Sequence, residues 1–392
     1  MKRLQALLLI ALSSTLLFAG CGKKEEEEKP VVAQVIEAQP ELANKEEDAA
    51  EDVQTDDEVP PEEGMVRSTL TNEWIDGDIA DARPIAIMLP NDSAALPHYN
   101  LSKADILYEC PVEGSITRSM AVIKDWEGLD RIGNVRSCRD YFVYWSFEWD
   151  SIYLHFGGPY YINDIIEEDS TDHITGCAYG DKRKDGLYED TFYRATDKKA
   201  PQNAYASAEG INKGINKLGY SKTYRKEYYK ADHFKFASSK TPNTLEKYSD
   251  AFAASEIDMK PAYPVTKTSF KYDEEDGLYY RSMYGKPDID AANDAKQLAF
   301  KNVLVQFTYH EVRDAKGYLA FQVHDTTRDG YYFTNGKGIH VTWKKTGNYE
   351  ATKYYDDDGN EIEINTGKTM ICVVEEGDSF DVDGASYKSE TK

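Results

Sequence analysis

The sequence predicts an α/β domain with a mixed sheet followed by a mainly antiparallel β domain, and three observations carry that reading. Between Arg83 and about Leu218, apolar runs of strand length alternate with helical patterns, the alternation from which layered α/β sheets are built. From about His233 to the end, short β-branched and aromatic runs are separated by turn signals, as antiparallel strands require. Beyond Gly64 the chain has 328 residues (392 − 64), enough for two domains of ordinary size.

The elements follow in order. Residues 1–20 form a lipoprotein signal peptide: Lys2 and Arg3 are the positive region, Leu4 to Phe18 the apolar region, and Ala19-Gly20 the small pair before the cut. The apolar run is too short to persist as a spanning helix. Cleavage would leave Cys21 as the lipid anchor, carrying a diacylglyceryl group and a palmitate chain. Phe18 stands where such a site more often has Leu, and an ordinary secretory signal is the alternative. The charged tail that starts directly after Gly22 favours an anchor followed by a tether.

Residues 21–64 are that anchor and a disordered acidic tether. From Gly22 to Gly64 there is no aromatic residue, and sixteen acidic residues face four lysines, giving −12 of the chain's formal −24. Such a segment cannot bury a core. A coil of 43 residues spans roughly 35 Å, and charge repulsion lengthens it. The remainder is only mildly acidic, which argues against nucleic acid as a partner.

Residues 65–240 are the α/β domain. Pro84 to Leu89, Ala104 to Glu109, Ile116 to Lys124 and Ser151 to Phe156 read as strands, and Arg139 to Trp149 and Ala208 to Leu218 as helices. Residues 241–260 read as the connection, with a short helix at Leu245 to Ala254. Residues 261–392 are the β-rich domain, with turns expected at Asp276-Gly277, Asp329-Gly330 and Asp358-Gly359-Asn360. The last of these lacks the spacing of a calcium loop. Cys110, Cys138, Cys177 and Cys372 have no CxxC spacing, so a zinc or thioredoxin-like reading has nothing to stand on. Disulfides from Cys177 to Cys110 or Cys138, or buried thiols, both remain open.

The candidate chemistry lies in an arginine-rich stretch. Arg118, Arg136 and Arg139 fall within 22 residues, the last two between an expected strand and an expected helix. A helix start exposes unpaired N–H groups, and arginine forks suit phosphate or carboxylate, so the three are candidates for an anion-binding pocket. Internal pairing with Asp105, Glu109, Glu113 or Asp140 is the alternative. His155 and the glycine pair Gly157-Gly158 would face the same crevice at a strand's carboxyl end. Ser137 lies between arginines without a nucleophile elbow, so catalytic residues are not identified and nothing visible requires an enzyme. His233, His310, His324 and His340 read as structural.

At these residues the chain resembles the YerB-like extracytoplasmic lipoproteins, a family of paired domains of unknown function. The motifs are Arg83 to Met88, Leu101 to Glu109, Gly114 to Arg118, Ile132 to Arg139, His155 to Gly158, Ala200 to Asn203, Asn302 to Gln306 and Gly338 to Lys345. Ser115 stands where a second Gly is usual, Gln202 where the family often has His, and Pro90 to His98 departs from the usual pattern. The resemblance implies location and layout without an activity. A weaker likeness, carried by Asp105, Arg139-Asp140-Tyr141 and the glycine pair, is to the LytR-CpsA-Psr phosphotransferases. It implies a polyprenyl-pyrophosphate ligand, with Asp105 or Asp140 as candidate ligands for magnesium.

The resulting expectation is a lipoprotein anchored to the membrane through Cys21, on the outer face of the bacterial cytoplasmic membrane. It would bind an anionic glycan, a lipid-linked precursor or a cell-wall protein. A phosphotransferase-like enzyme and a protein-binding regulator of wall synthesis are the alternatives.

Overall fold

The computed structural model describes residues 59–177 and 186–389. The expected signal peptide, Cys21 and the expected tether through Glu58 lie outside the described residues, among which no helix is long and apolar enough to cross a membrane.

The unit Val59–Lys392 is organised around an eleven-stranded mixed sheet. Its strands are β1 (Ile85–Pro90), β2 (Ile106–Val112), β3 (Ile116–Ile123), β4 (Ile152–His155), β5 (His173–Thr175), β6 (Phe252–Ala253), β7 (Asn302–Thr308), β8 (Thr326–Thr334), β9 (Lys337–Lys345), β10 (Lys353–Tyr355) and β11 (Thr369–Glu375). In space the order is β6-β9-β8-β7-β11-β2-β3-β1-β4-β5, with β10 on β9. The pairs β1–β4, β4–β5, β7–β11 and β11–β2 are parallel and the rest antiparallel. Two helices matter most, α1 (Asp140–Phe147) and α2 (Ala208–Leu218).

The long runs are apolar at nearly every position because both faces are covered. Successive residues of β1 alternate: Ile85, Ile87 and Leu89 enter one core with Ile211 and Ile215 of α2, while Ala86 and Met88 enter the other with Phe142 and Trp145 of α1. A seven-stranded sheet from the later part of the chain adds Ile257, Phe270, Tyr279 and Phe380 to the first core.

The expected fold classes are present: a mixed sheet with a few helices in the earlier region, mostly antiparallel strands in the later one. The sheet runs across residues 241–260. Strand β11 lies between β7 and β2, parallel to both, so that Val305, Cys372 and Glu109 stand side by side. Glu109 seals the junction. Its carboxylate accepts from Thr117 Oγ1 (2.6 Å), Thr268 Oγ1 (2.8 Å) and Arg281 Nη2 (2.7 Å), and Arg281 also pairs with Asp288.

Two expected elements are corrected. Leu245 to Ala254 is not helical: Leu245 has a φ of 60°, and its N–H is held by Asn243 Oδ1. Asn243 is itself pinned by Asn365 and Glu363, and Phe252–Ala253 pairs with β9. Tertiary bonds override the helical pattern there. Asp329-Gly330 is not a turn but part of β8, opposite Thr342 and Val341. A Cβ on Gly330 would lie 2.4 Å from Val305 O, so the glycine serves strand approach. The other two expected turns form. No disulfide joins Cys110, Cys138, Cys177 and Cys372.

Candidate anion-binding site

The parallel neighbours β1 and β4 end side by side at Pro90 and His155. Over these ends runs the segment that leads into α1. Arg136 N donates to Met88 O and Arg136 O accepts from Phe156 N, both at 2.9 Å, and Cys138 N donates to Gly157 O at 3.0 Å. The segment thus acts as an extra strand laid across the carboxyl ends, the place where open α/β sheets hold ligands.

Arg118 lies opposite Pro90 in the β1–β3 register. It is 5 % exposed, and its Nη1 donates to Ser137 O at 2.9 Å. Burial holds its guanidinium below the ordinary pKa, against the pull of Tyr141 and Asp92. Arg136 is half-buried and its Nε has no hydrogen-bond partner among the described residues. Its pKa is lowered by burial first and then by repulsion from Arg118. Asp92 faces both arginines, but its Oδ2 accepts from Gln202 Nε2 at 3.1 Å. Two mutually repelling cations, neither in ion-pair contact with a carboxylate among the described residues, form a positive locus that an anion would relieve.

The other expected members are placed differently. Arg139 is spent on Glu113: its Nε donates to Oε2 at 3.0 Å and its Nη2 pairs with Oε1, while Nη1 donates to Cys138 O at 2.7 Å. Of the three arginines it alone forms an ion pair among the described residues. His155 is fully buried, with Nδ1 donating to Gly157 O (2.8 Å) and Nε2 on His173 Nδ1 (3.0 Å). It fastens the glycine turn and does not face the crevice. Gly157 has a φ of 73°, which favours glycine, and its N–H donates to Thr175 Oγ1 at 3.2 Å. Gly158 is buried beside it.

The candidate metal ligands do not meet. Asp105 sits just before Ile106, which pairs with Val122, whereas Arg118 pairs with Cys110. Five strand steps separate Asp105 from Cys110, the partner of Arg118, roughly 17 Å. Asp105 accepts from Lys124 N at 2.7 Å, and burial raises its pKa to about 6. Asp140 pairs with Arg313 at 2.5 Å. Among the described residues no group of three His, Cys, Asp or Glu could hold a metal ion.

Sequence reasoning missed Arg194. It ends the strand Phe192–Arg194, its guanidinium lies 4.9 Å from the ring centroid of Phe156, and its Nη1 donates to Asn203 Oδ1 at 2.7 Å. Its charge adds to the repulsion on Arg136. It also missed Asn134, whose Nδ2 donates to Gln202 O (2.7 Å) and Ala95 O (3.2 Å). The signal was the Ala200–Asn203 motif, which precedes the strand that pairs with Arg194.

Fold and site define a class: a mixed-sheet α/β protein with a candidate ligand crevice at the carboxyl ends of parallel strands. Residues 70–221 match the profile described as the N-terminal domain of the protein of unknown function DUF3048, and residues 258–371 match its C-terminal domain. The chain is 28% identical over 335 residues to "Putative lipoprotein YerB" of Bacillus subtilis (strain 168), covering 84% of this chain and 92% of that protein. The crystal structure of the YerB protein from Bacillus subtilis superposes with a TM-score of 0.64 at 25% identity, covering 79% of this chain and 96% of that one. The chain belongs to the YerB-like family of paired DUF3048 domains.

Proposed function

We propose that this protein is a cell-envelope lipoprotein, anchored through Cys21 on the outer face of the cytoplasmic membrane, that binds a phosphate-bearing envelope component at Arg118 and Arg136. The carrying observation is the adjacent guanidinium pair, one of its members with an unpartnered Nε. The relative's printed name and the Lys2–Cys21 segment support the anchor. The site holds and orients an anion; none of its residues is assigned a covalent step.

The test is calorimetric titration of inorganic phosphate and pyrophosphate into wild type and Arg136→Ala, with melting temperature measured in parallel. A hydrogen bond to a charged group contributes about 1.5–3 kcal/mol, so loss of one fork should weaken binding roughly ten- to a hundred-fold while the fold survives. Failure of wild type to bind either anion overturns the reading. For the anchor, Cys21→Ala should leave the protein without incorporated labelled palmitate and outside the lipoprotein fraction. Label retained by the variant would contradict it.

A further inference from the structure

A cavity of about 650 Å³ opens between the Ser93–Pro97 loop and the Asp197–Gln202 loop, and Gln202 links it to Asp92 of the arginine site. Gln202 belongs to both places: it lines the cavity, and its Nε2 donates to Asp92, the carboxylate that faces Arg118 and Arg136. Its Oε1 is buried without a hydrogen-bond partner among the described residues. The same is true of Oδ1 of Asn134, a residue buried completely. Buried acceptors are costly to leave unmatched. The unmatched Gln202 oxygen on the cavity wall therefore asks for a ligand that brings an O–H or N–H group.

The cavity wall carries both polarities. The Lys198 ammonium and the Asp197 carboxylate meet at the Tyr205 hydroxyl, at 3.1 Å and 2.8 Å. Donor and acceptor side by side suit hydroxyl groups, which both give and accept. A nucleobase would find less. Tyr99, the ring lining the cavity, already has the Arg131 guanidinium 3.6 Å from its centroid and Tyr205 edge-on at 5.6 Å.

We infer that this cavity receives the sugar of a glycosyl phosphate whose phosphate rests on Arg118 and Arg136, with a hydroxyl or acetamido group donating to Gln202. The inference rests on the anion reading above and names the ligand class it would serve.

The experiment titrates the full-length, detergent-solubilised protein with N-acetylglucosamine 1-phosphate and, separately, inorganic phosphate. The sugar phosphate should bind at least about tenfold more tightly than phosphate. Ala94→Trp, which fills the cavity from an exposed position, should abolish that gain and leave phosphate affinity unchanged. Gln202→Ala should reduce the gain by a separate route. Equal affinity of wild type for the two probes, or a gain that survives both substitutions, overturns the sugar assignment and leaves the anion reading standing. Absence of binding by either probe removes both.

Discussion

Arg281 holds Glu109 and Asp288 together where water does not reach, all three side chains being at most 1 % exposed. Replacing Arg281 by Met would strand two buried carboxylates, and removal of one partner from such a group costs about 3–5 kcal/mol. Urea denaturation of Arg281→Met should show that loss; an unchanged midpoint would mean that the carboxyls protonate without consequence. Asp105 supplies a pH test. Its folded pKa of about 6 lies above the ordinary aspartate value, because burial penalises the charge. The folded state therefore holds this proton more tightly than the unfolded one, and stability from this group rises as pH falls through 6 toward 4. Asp105→Asn should flatten that part of the profile, by on the order of 2 kcal/mol between pH 7 and pH 4. At this scale the sequence showed which residues could carry charge but not which would pair. Glu113 and Asp140 were both near Arg139 in sequence, and the fold gave Arg139 to Glu113 and Asp140 to Arg313, a residue 173 positions away. Short-range counting has no access to such a partner.

Among elements, those legible in the sequence were those whose own pattern decided them. Strands β1 to β4 lie within two or three residues of their expected positions, because continuous apolar runs have one fate in a sheet covered on both faces. Helix α2 spans the residues expected of it, with Ser207 Oγ accepting from Gly210 N at 3.1 Å and Gly219 closing it at a φ of 77°. Ser207→Ala should cost about 1 kcal/mol by loss of that cap, measurable by thermal unfolding. Segments decided from outside were illegible. The Asp329-Gly330 pair has the composition of a turn, yet the nine-residue register between β8 and β9 passes straight through it. Gly330→Ala should therefore destabilise by about 1–3 kcal/mol, because the new methyl would press on the Val305 carbonyl of β7. A neutral outcome would show that the strands can separate there without penalty.

For the molecule as a whole, composition changes near residue 240 but the sheet does not stop. Local patterning reports what each segment is made of; it carries no record of which distant strand lies beside it, so the placement of β11 between β7 and β2 was not readable. Residues 59–240 and 261–392 made separately should each lack a cooperative urea transition, since each would expose one side of the broken β11–β2 seam. A cooperative transition in either fragment alone would contradict this. The order of strands also bears on how the chain is made. Synthesis proceeds from the amino to the carboxyl end, and the strand that occupies the middle of the great sheet is the last of its eleven to leave the ribosome. Until residue 375 has emerged, β2 and β7 each keep an open edge, the kind of surface through which unfinished chains associate wrongly. A chain cut short anywhere before that point keeps both edges open, so closure of the great sheet waits for its eleventh strand.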